Sequence, residues 1–155
     1  MQSFSLDFYT AYGQFYLADK DSALKTDSER FWTDEAFDAR LALETGVIGV
    51  GIESYGPLKA ELLLLDAEPG TFDENQYDHI VEGSLQLESG TLQVLNCPDT
   101  SLELELHMEK GSYRVRIYSV NLDSVEDDAG DDFYKIEIWK AEPSDRKVLK
   151  MYGSR

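Results

Sequence analysis

Residues 101–121, SLELELHMEKGSYRVRIYSVN, alternate apolar and polar side chains on both sides of Lys110-Gly111. A period of two belongs to strands with one buried and one wet face. Leu102, Leu104, Leu106 and Met108 share one face, and Glu103, Glu105 and His107 share the other. Beyond the glycine, Tyr113, Val115 and Ile117 alternate with Arg114 and Arg116. A hairpin turning at Lys110-Gly111 sets Leu106 opposite Val115 and Leu104 opposite Ile117. The same register sets Glu105 opposite Arg116 and His107 opposite Arg114, so apolar meets apolar and acid meets base. Lysine is not ideal at the first position of a two-residue turn, so a longer loop of the same parity is the alternative.

Outward from this pair the chain keeps the same habit. Asp123–Asp132 reads as an acidic loop, with Glu126, Asp127, Asp128 and Asp131 and no basic residue. Phe133–Ala141 reads as a strand with Tyr134, Ile136 and Ile138 inward and Lys135, Glu137 and Trp139 outward. Trp139 is thereby a candidate for an interface or for cover by the C-terminal segment. Arg146–Tyr152 reads as a short edge strand whose lysines discourage unwanted pairing. Upstream, residues 3–18 alternate with Phe4, Leu6 and Phe8 in one phase and Phe15 and Leu17 in the other. A bulge at Gly13 would let one long strand bend from one sheet to the next. Residues 19–31 read as a polar loop. Val47–Ser54 places Ile48, Val50 and Ile52 on one face and Gly49 and Gly51 on the other, where a large side chain can approach. Leu62-Leu63-Leu64-Leu65 is continuous enough for a strand buried on both faces. Tyr77–Leu87 and Thr91–Leu95 are strands split by Ser89-Gly90.

Trp32-Thr33-Asp34-Glu35-Ala36 opens the one good helix. Thr33 suits the N-cap, and Asp34 and Glu35 bring negative charge to the first turn. Trp32 and Phe37 stand at the positions of a hydrophobic staple. Gly46 stands where a left-handed residue would end the helix, so the predicted span is about 34–45. Ala36, Ala39, Ala42 and Leu43 spread round the circumference, which implies cover on more than one side. The expected architecture is mainly β: a two-layer antiparallel β-sandwich of about eight or nine strands with one inserted helix, in a single domain over residues 1–155.

Thirty-one acids stand against 14 basic residues, for a net charge of −17. Phosphate backbones need neutralising by Lys and Arg, so the balance opposes a nucleic-acid partner and an anionic membrane surface. It favours a basic partner, a cation, or a strongly solvated surface. Cys97 is the single cysteine, so no intramolecular disulfide is expected. The N-terminus lacks the pattern of a signal peptide, and no apolar run reaches the roughly 20 residues of a membrane span, so the expected location is cytoplasmic.

Signals for catalysis are poor, and no catalytic residue or cofactor is assigned. Glu103, Glu105 and His107 share a strand face at a spacing able to present metal ligands. The bland alternative is a solvated face paired with Arg114 and Arg116, which would repel a cation. Cys97 has no basic neighbour to activate it and reads as a structural thiol. Asp123, Glu126, Asp127, Asp128, Asp131 and Asp132 could together bind calcium, yet the spacing is not that of an EF-hand loop, and a solvated loop is the alternative. Charge distribution says more. Between Lys59 and Lys110 there is no Lys or Arg in fifty positions, while twelve acids occur. A tract of one sign produces a strong field, speeds association with a basic partner and can imitate a phosphate track. Glu61, Asp66, Glu68, Asp73, Glu74, Asp78 and Glu82 are the candidate partner-binding residues.

Tyr12-Gly13-Gln14-Phe15, the polar loop, Trp32-Thr33-Asp34-Glu35-Ala36, Gly46-Val47-Ile48 and Lys59-Ala60 follow one another in an order that resembles the competence protein J family. A weaker similarity continues through Leu62–Leu65 into Lys110-Gly111-Ser112-Tyr113. The resemblance covers about residues 5–118, and the acidic loop and the segment after Ala141 look like extensions. It implies a non-enzymatic, nuclease-inhibitor-like protein of competence, whose partner is a basic protein, a nuclease of DNA uptake. It carries over no functional residues. The two other function classes are the calcium-dependent binding module and, least favoured, the metal-dependent enzyme. Oligomeric state is left open.

Overall fold

The computed structural model describes residues 1–27 and 29–153, and position 28 of the predicted 19–31 loop lies outside them. The described residues form eleven strands and one α-helix: β1 (Gln2–Tyr9), β2 (Gln14–Asp19), α1 (Asp34–Ala39), β3 (Leu41–Glu44), β4 (Val47–Gly51), β5 (Pro57–Leu64), β6 (His79–Leu87), β7 (Thr91–Leu95), β8 (Leu102–His107), β9 (Gly111–Val120), β10 (Phe133–Lys140) and β11 (Lys147–Lys150). Six strands make one sheet in the order β1-β5-β10-β9-β6-β11, and five make the other in the order β3-β4-β2-β7-β8. The sheets face each other across one apolar core. Leu6, Leu62, Val81, Val115, Ile117 and Ile136 come from the larger sheet, and Phe15, Leu17, Leu41, Ile48, Val50 and Val94 from the smaller. The molecule is a two-layer β-sandwich with a short helix. Neighbouring strands run antiparallel except β5 and β10, which pair parallel with Tyr134 beside Ala60.

Alternation identifies the core-facing residues of β1, β2, β4, β9 and β10, but the 101–121 hairpin does not exist. β8 is the edge of the five-stranded sheet and pairs with β7, with Thr91 opposite His107 and Gln93 opposite Glu105. β9 lies in the other sheet, between β10 and β6. Leu104 and Leu106 of the one strand, with Met108 just after it, and Tyr113, Val115 and Ile117 of the other meet the same core from opposite sides, whereas Leu102, past a register shift in the β7–β8 pair, is exposed. Two strands facing each other across a core carry the same alternation as two strands side by side, which is why the pattern misleads. Neither Arg116 nor Arg114 meets Glu105 or His107. The same step between sheets occurs twice more. β1 and β2 are separate strands in different sheets, broken at Tyr12 and Gly13, which take φ of 61° and 64°, and not one strand with a bulge. β6 and β7 likewise change sheet across Ser89-Gly90.

The helix is half its predicted length. Thr33 caps it by accepting the Ala36 N–H at 3.0 Å, and Trp32 and Phe37 close the staple with ring centroids 5.1 Å apart. Arg40, at φ 62°, ends it and donates its N–H to the carbonyls of Ala36 and Phe37. Leu41–Glu44 is a strand that pairs with β4 around Thr45-Gly46, so Gly46 (φ 72°) serves a hairpin turn and not a helix end. The physical reason is cover on two faces at period two. Leu41 enters the main core, while Ala42 enters a second apolar cluster with Tyr16, Phe31, Ala36, Val47 and Cys97. That cluster is the outer face of the smaller sheet, roofed by the 31–36 segment. Gly49 makes the roof fit: a Cβ there would lie 2.8 Å from the Phe31 ring and 2.9 Å from Trp32.

β5 is less buried than its leucines suggest, because Leu62 is buried while Leu63, Leu64 and Leu65 are half-buried. The short C-terminal strand is present as β11, the edge partner of β6. Trp139 does point outward from its sheet, yet it is only 2% exposed, with the Arg116 guanidinium 5.1 Å from its ring centre. It is therefore not an open interface residue.

Candidate interaction surface

The seven acids singled out from residues 61–82 do not share one fate. Glu61 lies on β5 and accepts a hydrogen bond from the Ser3 hydroxyl at 3.0 Å. Asp66, Glu68, Asp73 and Glu74 are exposed on the β5–β6 connection. That segment packs onto the outer face of the larger sheet, where Phe72 meets Tyr118 edge-on at 5.7 Å and lies 5.3 Å from the Arg116 guanidinium. Asp73 caps the 3-10 turn at Glu74–Gln76 by accepting the Asn75 N–H. Asp78 is half-buried and accepts the Leu122 N–H at 2.9 Å. Glu82 is buried and holds Arg114 and Arg116, at 3.1 and 2.7 Å. So the acid that meets Arg114 and Arg116 is Glu82 on β6, and its carboxylate is taken up inside the fold.

The acidic loop after Asn121 is similarly divided. Asp132 is buried, accepting the Ser54 N–H at 3.1 Å, the Ser54 hydroxyl, and the Tyr134 hydroxyl at 2.6 Å. Burial and that carboxylate push the Tyr134 hydroxyl well above its ordinary pKa. Asp123 accepts the Tyr152 hydroxyl. Glu126, Asp127, Asp128 and Asp131 are exposed. Glu103, Glu105 and His107 face Asn96, Gln93 and Thr91 across the β7–β8 pair. The Gln93 amide holds the Glu105 carboxyl below its usual pKa. Among the described residues, no three His, Cys, Asp or Glu side chains are grouped so as to hold a metal ion. Neither the six-acid calcium set nor the Glu103–His107 face therefore supplies a converging ligand set.

The structure brings together a group that composition and charge do not reveal. Gln14 and Trp32, from the first two strings of the family resemblance, meet directly: Trp32 Nε1 donates to Gln14 Oε1 at 2.6 Å. Beside them a cavity of about 190 Å³ is lined by Tyr12, Gly13, Gln14, Trp32, Phe37, Arg40, Gly51 and Ile52. Tyr12 packs edge-on against Tyr55 at 5.9 Å, and the Tyr9 ring covers Gly56. These are exposed aromatics: Tyr9 68%, Tyr12 59%, Phe37 63% and Tyr55 45%. Acidic residues neighbour them along the chain, and one of these, Glu35, is paired with Arg146 at 3.4 Å. Asp34, Glu35 and Asp38 are exposed on the helix that carries Phe37, and Glu53 lies two residues before Tyr55. The Asp128 carbonyl accepts the Tyr55 N–H at 2.9 Å, which seats the acidic loop against the same rim. Arg40 is paired with Glu53 at 3.0 Å. Tyr12 stands beside Gly13 and Tyr55 beside Gly56, but nothing in the spacing of these residues says that the two segments meet.

No protein-family model matches this sequence, and no curated protein sequence matches it. Solved structures do match. The crystal structure of ComJ, inhibitor of the DNA degrading activity of NucA, from Bacillus subtilis, superposes with a TM-score of 0.69 at 20% identity, covering 90% of this chain and 98% of that one. The fold is that of ComJ. A second structure, described as crocagin biosynthetic gene J, matches with a TM-score of 0.56 at 17% identity, over 92% of this chain and 100% of that one. The coverage shows that the ComJ fold takes in nearly the whole chain. Among the described residues, no helix is long and apolar enough to cross a membrane.

Proposed function

We propose that this protein is a non-enzymatic inhibitor-type protein that binds a basic protein partner, a nuclease, through an acidic surface. The observation that carries the reading is the likeness over nearly the full length of both chains to ComJ, an inhibitor of a DNA-degrading activity. The net charge of −17 supports it independently, because a nuclease groove that holds DNA must be basic and an acidic surface can occupy it. Residues 1–155 act as one domain in this reading, in the cytoplasm, with no cofactor and no nucleic-acid ligand of its own. Glu61, Asp66, Glu68, Asp73, Glu74 and Asp78 remain candidates for the acidic contact, whereas Glu82 is committed to Arg114 and Arg116.

The test is an inhibition assay. The purified protein is titrated against the nucleases of its own genome, those of the NucA type first, at low ionic strength. One of them is expected to lose its DNA-degrading activity at a one-to-one ratio. If every nuclease keeps full activity and none forms a complex, the reading fails.

A further inference from the structure

We propose that the aromatic rim of Tyr12, Trp32, Phe37 and Tyr55 is the docking surface for a loop of a basic protein. One apolar side chain of that loop occupies the cavity, and its lysines and arginines face the neighbouring carboxylates. This deepens the reading above, since it rests on a basic protein partner and names where that partner is held.

Four observations converge. First, contiguous exposed aromatics are uncommon on a soluble surface and mark places that something covers. Tyr9, Tyr12, Phe37 and Tyr55 are four of the large apolar side chains that stand exposed: Tyr12 packs on Tyr55, Phe37 shares the cavity lining with Tyr12, and Tyr9 covers Gly56 beside Tyr55. Second, the cavity is the wrong size for a small-molecule site. Its volume of about 190 Å³ is below the roughly 300–1,000 Å³ of typical ligand pockets and suits one side chain. Third, the rim is already rigid. Gln14 fixes the Trp32 indole, Trp32 stacks on Phe37, and Tyr55 braces Tyr12. Pre-set Tyr and Trp side chains lose little freedom on binding and are the residue types that anchor interfaces. Fourth, the unpaired charge beside the rim is acidic. Asp34 and Asp38 are exposed on the helix that carries Phe37, the loop carrying Asp128 is bonded to Tyr55, and the two arginines nearby are each paired, Arg40 with Glu53 at 3.0 Å and Arg146 with Glu35 at 3.4 Å. An aromatic centre with acidic neighbours complements an apolar residue flanked by cations.

The rim and the 61–78 acids predict different variants. Tyr12→Asn with Tyr55→Ser removes the anchors; asparagine tolerates the left-handed backbone at position 12, and both side chains are exposed, so the fold survives. Asp66→Asn, Glu68→Gln and Glu74→Gln together remove exposed charge elsewhere. With the nuclease inhibited in the assay above, the rim pair is expected to raise Kd by about 30-fold or more, while the charge triple changes it by less than about threefold. The opposite ranking overturns the proposal. If no nuclease binds, a photo-crosslinking residue is placed at position 12 and, separately, at position 68 in living cells. A basic protein captured at 12, and bound again when purified, keeps the rim and discards only the nuclease reading. Capture only at 68, or at neither, overturns the rim.

Discussion

Arg114 and Arg116 each set Nε against one oxygen of Glu82, and all three side chains are buried. Removing one partner of such a group leaves charge without compensation in a poorly solvated place, which costs about 3–5 kcal/mol. Glu82→Gln is therefore expected to lower the unfolding free energy in urea by about that much, whereas Glu68→Gln, on an exposed loop, stays within about 0.5 kcal/mol. Equal urea midpoints for the two would show that Glu82 holds nothing. The sequence placed Glu82 among acids that looked alike, and only the β6–β9 register, with Glu82 beside Arg116, separates it from them. His79 is a second residue whose role is set by contacts distant in sequence. It is fully buried, shares a 2.7 Å hydrogen bond from Nε2 with the Ala39 carbonyl, and accepts the Tyr152 N–H at Nδ1. Burial is the main cause that lowers its pKa to about 4, with the nearby Arg40 charge adding to it. In the unfolded chain the ordinary value of about 6.5 returns. Between those values the unfolded state binds more protons than the folded one. Stability is thus fully present above pH 6.5 and falls as pH drops towards 4, by a few kcal/mol. In His79→Gln the stability at neutral pH is lower but the decline between pH 6.5 and 4 is shallower. Parallel Tm–pH curves for parent and variant would count against this.

β8 and β9 show how an element can be read correctly and placed wrongly. Their faces were legible, because alternation reports which side chains are buried. Their partners were not, because a sandwich core is fed from two sheets and the pattern does not name the sheet. The helix shows the converse. Its start was legible in Thr33 and in the Trp32–Phe37 staple, since caps are local chemistry. Its end was not, because a non-glycine residue, Arg40, takes the left-handed conformation and Leu41–Glu44 gains more by pairing with β4. The aromatic rim was illegible for a related reason: it joins three segments, around Tyr12, Trp32 and Tyr55, that only the folded chain brings together. β4 offers a test at this scale. Gly49 faces the Phe31 and Trp32 rings, with no room for a Cβ, and Phe31 is buried. Gly49→Ala is expected to cost about 1–3 kcal/mol by overpacking the roof on the smaller sheet. Gly70, where a Cβ meets nothing within 4 Å, is the matched control, and Gly70→Ala stays near the parent. Chemical denaturation of both variants decides it, and equal losses would mean that the 31–37 segment does not rest on β4 as described.

Seventeen carboxylates in excess must act on the molecule as a whole, because 31 acids outnumber 14 Lys and Arg residues. A compact chain of this length has a radius of gyration of about 15 Å. At 0.01 M salt the screening length is about 30 Å, so acids on opposite sides repel one another across the sandwich. At 0.15 M it is about 8 Å, and only neighbours interact. The unfolded chain spreads the same charges further apart and gains less from screening. Added salt should therefore stabilise the folded state, with Tm rising by about 3 °C or more between 10 and 150 mM NaCl, which corresponds to roughly 1 kcal/mol at this size. Divalent cations separate this general effect from a specific site. The exposed acids of the 126–131 loop stand beside Asp123 and Asp132, which already hold Tyr152, Ser54 and Tyr134, so no ligand set is prepared for calcium. CaCl2 and MgCl2 at matched ionic strength are then expected to give the same Tm. A rise confined to calcium, lost on adding a chelator, would restore the loop as a calcium site.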